Sequence, residues 1–125
     1  MKTDDVVEAY FRHYGEKRDD DRWAWEWVHD LVGRDPDEGW ALILALVDKA
    51  PSDAALAYVA AGPLEDLLKK HGQVVIDRVD AESRKSNRLQ LALSGAWITS
   101  SDPVFDRWCK LMSEFGFADG GREAL

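Results

Sequence analysis

Cysteine is almost absent from this chain of 125 residues, where Cys109 stands alone. One thiol excludes an internal disulfide and fits a reducing compartment. Long apolar runs are missing as well. The longest, Trp40 to Val47, falls far short of the ~20 residues that span a bilayer. No basic-then-apolar leader precedes the acidic Asp4-Asp5 start, so neither secretion by that route nor a membrane role is expected, and the location to expect is cytoplasmic. Positive charge is scarce: 16 Lys+Arg face 24 Asp+Glu, for a formal charge of −8. A negative potential opposes phosphate backbones and favours basic partners, which argues against direct binding of nucleic acid. The same acid can also serve only to keep a small protein soluble. It is not spread evenly, since residues 1–40 hold 12 acids and 6 bases whereas residues 82–125 hold 6 of each.

What is present is apolar and aromatic: 46% hydrophobic residues with six Trp, three Tyr and four Phe. That is enough for one self-sufficient core, so residues 1–125 are expected to form a single helical domain with 116–125 as a frayed, Gly-rich tail. Val6, Val7, Tyr10, Phe11 and Tyr14 recur at helical steps after a cap at Asp4 or Asp5, and Gly15 ends that helix. The run Glu16 to Asp21 reads as a turn whose aspartates suit the start of a second helix, about Asp20 to Val32. Asp35-Pro36-Asp37-Glu38 predicts a helix start with Asp35 as cap, Pro36 in the first turn and Glu38 closing a capping box. The helix that follows to Lys49 is apolar almost all round and is expected at the centre.

Pro51 and then Gly62-Pro63 read as helix breaks, with Ser52 or Asp53 capping the segment between them. Lys69-Lys70-His71-Gly72 resembles a helix end. Val74 to Ala81 opens another helix, the polar connection Glu82–Arg88 reads as a loop or a solvated helix turn, and Leu89 to Trp97 is the next apolar segment. Thr99-Ser100-Ser101-Asp102 is expected to cap a last helix carrying Val104, Phe105, Trp108, Leu111, Met112 and Phe115. The fold class is therefore all-α, with about seven short helices in antiparallel hairpins, as a short solenoid-like stack or an orthogonal bundle.

Catalytic patterns are thin. The histidines His13, His29 and His71 show no H-E-x-x-H, and Glu26-Trp27-Val28-His29 has no second copy with which to build a di-metal bundle site. No metal or other cofactor is expected. Cys109, between Trp108 and Lys110, reads as a half-buried structural thiol. No nucleophile elbow, phosphate loop or dinucleotide fingerprint occurs. Tryptophan is the more suggestive signal. Trp23, Trp27, Trp40, Trp97 and Trp108 fall on apolar faces and are expected in the core. Trp25 lies roughly 200° from Trp23 on a helix and, beside Arg22, Glu26 and His29, is an anchor candidate if exposed; the alternative is a ring sandwiched by the first helix.

The segment Ala60-Ala61-Gly62-Pro63-Leu64-Glu65-Asp66-Leu67-Leu68, running on to His71-Gly72, resembles a small bacterial family known only as a domain of unknown function. Asp35-Pro36, Trp40 and Trp97 fit the same pattern, so the likeness spans about residues 20–110. The resemblance implies a bacterial helical protein and carries over no catalytic residue. In physical terms Gly62, Pro63, Leu64 and Glu65 are expected to form a structural corner, with Glu65 favouring the exposed N–H groups of a new helix start. The functional alternative is a groove lined by Glu65 and His71.

These features point first to a small acidic protein-binding protein, an inhibitor or immunity-type protein that blocks a basic partner such as a nuclease or nucleic-acid-handling complex. Its expected contact residues are Asp19, Asp20, Asp21, Trp25, Glu26 and Asp30. The alternative is a structural or adaptor domain that uses an apolar helix face. A small hydrolase or metal enzyme with a site near His71, Glu65 and His29 is the third reading, and the chain is not expected to be an enzyme.

Overall fold

In the computed structural model, residues 2–17 and 19–117 are described. Helix α1 (Thr3–Glu16) buries Val6, Val7, Ala9 and Tyr10. Asp4 and Asp5 lie in its first turn rather than at the cap, which is Lys2. There they still favour the positive end of the helix dipole. Gly15 does not end the helix. Lys17 takes the left-handed position (φ 52°) and its N–H closes on the His13 carbonyl at 2.8 Å.

A single 3-10 turn, Asp19–Asp21, leads into α2 (Arg22–Arg34). The buried stripe of α2 is made of Ala24, Val28 and Val32. Trp23 and Trp27 each directly precede a member of that stripe and so sit about 100° off it. This corrects the expectation that both are core residues. Trp97 is outside the core as well, and only Trp40 and Trp108 among the six are buried.

Helix α3 (Pro36–Lys49) starts as its sequence predicts: the Asp35 carboxylate accepts the N–H groups of Asp37 and Glu38, both at 3.1 Å, with Pro36 in the first turn. Glu38 closes no box, because the Asp35 N–H is already given to the Leu31 carbonyl at 2.9 Å. Helix α3 is the central one. It packs on α1 and α2, and on the three helices introduced next, α4 (Asp53–Val59), α5 (Glu65–Ser83) and α6 (Asn87–Gly95). Its C-terminal end is finished from a distance, since Arg88 of α6 donates to the carbonyls of Val47 (2.6 Å) and Ala50.

Ser52 caps α4 by accepting the Ala55 N–H at 3.1 Å. The break expected at Gly62-Pro63 is absent. Ala60–Leu64 forms one wide π turn that joins α4 to α5 without leaving helical backbone. A proline in a regular helix clashes with the carbonyl four residues back and lacks the N–H to bond it. A wider turn removes both objections, so the helix passes through Pro63 instead of ending there. The second expected stop is only a kink, at His71 (φ −129°, ψ 19°), and α5 continues to Ser83. Gly72 has a different task. A Cβ there would lie 2.6 Å from Val104 Cβ, so its bare backbone lets α5 close on the segment before the last helix.

Within the polar connection Ser86 accepts the Leu89 N–H at 3.1 Å and caps α6. The last helix, α7 (Phe105–Glu114), has no side-chain cap. Asp102 instead closes a local turn on the Thr99 N–H (2.8 Å) and pairs with Lys69 of α5 (2.8 Å). Helix α7 ends in a Schellman motif: Gly116 is left-handed (φ 89°), its N–H reaches Ser113, and the Phe117 N–H reaches the Met112 carbonyl at 2.8 Å. Gly116 and Phe117, the first residues of the expected tail, take part in this motif, and the rest of that tail, 118–125, lies outside the described residues.

All of these elements share one hydrophobic core. At its far side the fully buried Trp108 donates its indole N–H to the Leu93 carbonyl at 3.1 Å. Packing of α1 on α3, α2 on α5 and α3 on α6 closes the helices into a bundle, unlike a stack in which each repeat touches only its neighbours.

Candidate functional site

Helix α2 presents aromatic groups on both flanks of its buried stripe. Trp23, Trp25 and Trp27 are each 36–40% exposed. Trp23 and Trp27 occupy one flank, one helical turn apart. Trp25 occupies the other, stacked on His29 with ring centroids 5.1 Å apart and planes within 5°.

The acids around them behave differently from one another. Asp19, Asp20, Glu26 and Asp30 are exposed. Asp21 is not. It is 5% exposed and held by Arg12 through two hydrogen bonds, Nε to Oδ2 at 3.2 Å and Nη2 to Oδ1 at 2.9 Å. Asp21 is thus a structural ion-pair partner that fixes the α1–α2 connection, and it is removed from the contact set. Glu26 and Asp30 are each met by an arginine of their own helix, Arg22 at 3.3 Å and Arg34 at 3.1 Å. Both acids of α2 are therefore paired within the helix, and Arg22 and Arg34 balance their charge.

The corner residues also find unexpected partners. Pro63 and Leu64 are buried in the wide turn. Glu65 accepts the Trp97 N–H at 2.6 Å, so it secures the chain just past α6 and not the start of its own helix. His71 Nε2 lies 3.1 Å from the Gly33 carbonyl at the end of α2. Glu65 and His71 are spent on different elements and do not line a common groove. His29 is engaged elsewhere again, its Nδ1 3.8 Å from Asp66 Oδ2, so the three groups of the hydrolase reading are not brought together. Among the described residues no group of three or more His, Cys, Asp or Glu is placed to hold a metal ion. Cys109 is half-buried.

The wide turn faces the Trp25 flank of α2. Between them lies a small cavity of about 40 Å3 lined by Tyr10, Trp25, His29, Gly62, Pro63 and Asp66. Tyr10 belongs to an aromatic cluster with Tyr58 (5.7 Å between centroids), which in turn meets Tyr14 at 4.6 Å. Burial pushes the Tyr10 phenol well above its ordinary pKa, and Tyr58 and Asp66 push it further. Burial also raises Tyr58, against the opposing hydrogen bond of Trp25. Tyr10 is 1% exposed, and its buried hydroxyl has no hydrogen-bond partner. A larger, open concavity of about 700 Å3 runs along α1 to Lys49 and Pro51, with charges of both signs on its walls (Asp4, Glu8, Arg12).

Sequence reasoning singled out Trp25 and Gly62-Pro63 separately and missed that they face each other across Tyr10. The available signal was Trp25 and His29 sharing a flank at a four-residue step.

Fold and surface together define an all-α helical-bundle protein whose second helix shows three tryptophans to solvent. The chain belongs to a family of unknown function (DUF6869), whose model matches residues 12–114. No curated protein and no solved structure matches it.

Proposed function

We propose that the protein is a binding module that docks a basic protein through α2, as an inhibitor or immunity-type protein acting on a nuclease or nucleic-acid-handling complex. The observation that carries this reading is the exposure of Trp23, Trp25 and Trp27 on one helix. Tryptophan is the residue most enriched at binding hot spots, and apolar side chains of this size left at the surface mark contact sites. The acids Asp19, Asp20, Glu26 and Asp30 rim the aromatic groups and suit a basic surface. No catalytic role is assigned. The reading places the protein in the bacterial cytoplasm, which agrees with the resemblance of the Ala60–Gly72 segment. Among the described residues no helix is long and apolar enough to cross a membrane.

One observation favours the adaptor reading instead. The pairing of Glu26 and Asp30 with Arg22 and Arg34 lowers the charge available for steering and leaves the aromatic groups as the main source of affinity.

Capture of partners from the source organism on tagged protein, at low and high salt, separates the two. A basic protein released by salt and lost on joint reversal of Asp20, Glu26 and Asp30 to Lys supports the inhibitor. A partner indifferent to salt but lost in Trp23→Ala/Trp27→Ala supports the adaptor. In either case each hot-spot tryptophan replaced by Ala should weaken binding by about thirtyfold, the equivalent of ~2 kcal/mol. A partner retained by all of these variants sinks both readings.

A further inference from the structure

We propose that the cavity between the wide turn and the Trp25–His29 stack is the seat for the side-chain ammonium of a lysine on the docked protein. The cavity, about 40 Å3, exceeds the ~10–15 Å3 that one water needs. It suits a compact terminal group and is too small for a whole metabolite. Its walls offer acceptors and aromatic faces. Tyr10 contributes a buried hydroxyl without a partner, and a buried polar group left unpaired costs about 1–3 kcal/mol. Asp66 contributes a carboxylate. Its contact with His29 Nδ1 is 3.8 Å, too long for a hydrogen bond, so a guest competes with a weak contact for this carboxylate. Trp25, stacked on His29, contributes its indole to the lining, the aromatic ring that attracts cations most strongly.

The backbone of the wall is consistent with the same guest. Pro63 has no N–H, so it adds no donor that an anion would need. Gly62 has no side chain, and a Cβ there would stand 3.8 Å from the Tyr10 hydroxyl. The net charge of −8 draws cations to the whole molecule. A guanidinium is planar and presents five donors in a fork, which a small cavity with one carboxylate at its edge does not match.

The test is an NMR titration of the full chain with n-butylammonium, read at the Trp25 indole N–H and assigned by Trp25→Phe. Saturable shifts are expected, with none for 1-butanol or butyrate and weaker binding of n-butylguanidinium. Tyr10→Phe should weaken binding about fivefold and Asp66→Asn about tenfold. Gly62→Ala, which narrows the cavity from the opposite wall, should weaken it too and serves if Tyr10→Phe misfolds. Unsaturable shifts, equal shifts with butanol, tighter binding of the guanidinium, or folded variants that bind as the wild type would each overturn the assignment.

The carrier of the ammonium rests on the docking function proposed above, but the pocket does not. If butylammonium fails while Trp-dependent capture of a partner persists, the pocket alone is wrong. If butylammonium binds while capture ignores Trp23, Trp27 and the acids, the docking reading alone is wrong.

Discussion

Replacing Gly72 by Ala should destabilise the protein even though alanine is the better helix former. The new methyl would sit 2.6 Å from Val104 Cβ, 2.9 Å from Cγ2 and 3.1 Å from Cγ1, where carbon atoms prefer about 3.5–4.0 Å. Val104 cannot swing away. It is buried and β-branched, and its carbonyl accepts the Trp108 N–H at 2.9 Å at the start of α7. Relief requires moving α5 and the α7 start apart by about 1 Å, an overpacking cost of about 1–3 kcal/mol. Alanine regains up to ~1 kcal/mol of helix propensity, but only in part beside the non-helical His71. The net loss should be about 1–2 kcal/mol, or a fall in Tm of several degrees. Urea unfolding followed by tryptophan fluorescence and far-UV CD reads it directly. The double variant Gly72→Ala/Val104→Ala should recover much of the loss, with a coupling of about 1 kcal/mol between the two sites. A Gly72→Ala protein more stable than wild type, or a double variant whose costs simply add, would refute the close approach.

Two further outcomes follow from single contacts. Trp108→Phe removes the indole N–H from the Leu93 carbonyl, which keeps the Ala96 N–H at 3.2 Å, and shrinks a fully buried side chain, so it should cost about 1–2 kcal/mol in urea unfolding; Trp23→Phe, at the surface, should stay within ~0.5 kcal/mol, and equal costs would contradict the sorting of the tryptophans. At Asp102 burial opposes the charged form, but hydrogen bonds from Lys69 and the Thr99 N–H outweigh it and hold the carboxyl below its ordinary pKa. A depressed carboxylate pKa contributes stability above its unfolded value, near 4, and loses it as pH falls through the folded value, so Asp102→Asn should flatten the stability profile below about pH 4; an unchanged acid limb would show that the Lys69 pair is not formed.

Where one local interaction decides the outcome, the sequence was a good guide. Asp35-Pro36 starts α3 and Ser52 caps α4 because a cap needs only its own next three residues. The apolar run from Trp40 to Val47 placed α3 at the centre because no helix apolar all round survives at the edge. The errors share a cause, which is that tertiary packing chose between options left open locally. Asp21 is chemically equal to Asp19 and Asp20, and its burial against Arg12 across the connection distinguishes it. Trp23 and Trp27 are apolar, but Ala24 and Val28 allow closer approach and take the buried stripe. Glu65 was assigned to its own helix start, yet with no helix start at the wide turn it was available to Trp97. The Tyr10 cavity could not be read at all, since its walls come from three separate stretches of chain.

From Ala55 to Ser83 the buried positions recur every four residues, as 55, 59, 63, 67, 75, 79 and 83 on one row and 56, 60, 64, 68, 72 and 76 beside it. An ordinary α-helix advances about 400° in four residues, so such a row would drift by about 40° at each step and wrap around the rod. The extra width at Ala60–Leu64 and the kink at His71 offset part of that drift, so the row wraps less around the rod than in a regular helix. Chain length through this stretch is therefore a counted quantity. Losing one residue from the wide turn would rotate everything beyond it by about 100° and carry Leu67, Leu68 and Val75 out of the core, whereas an added residue in the turn at Ser100–Ser101 would disturb no such phase.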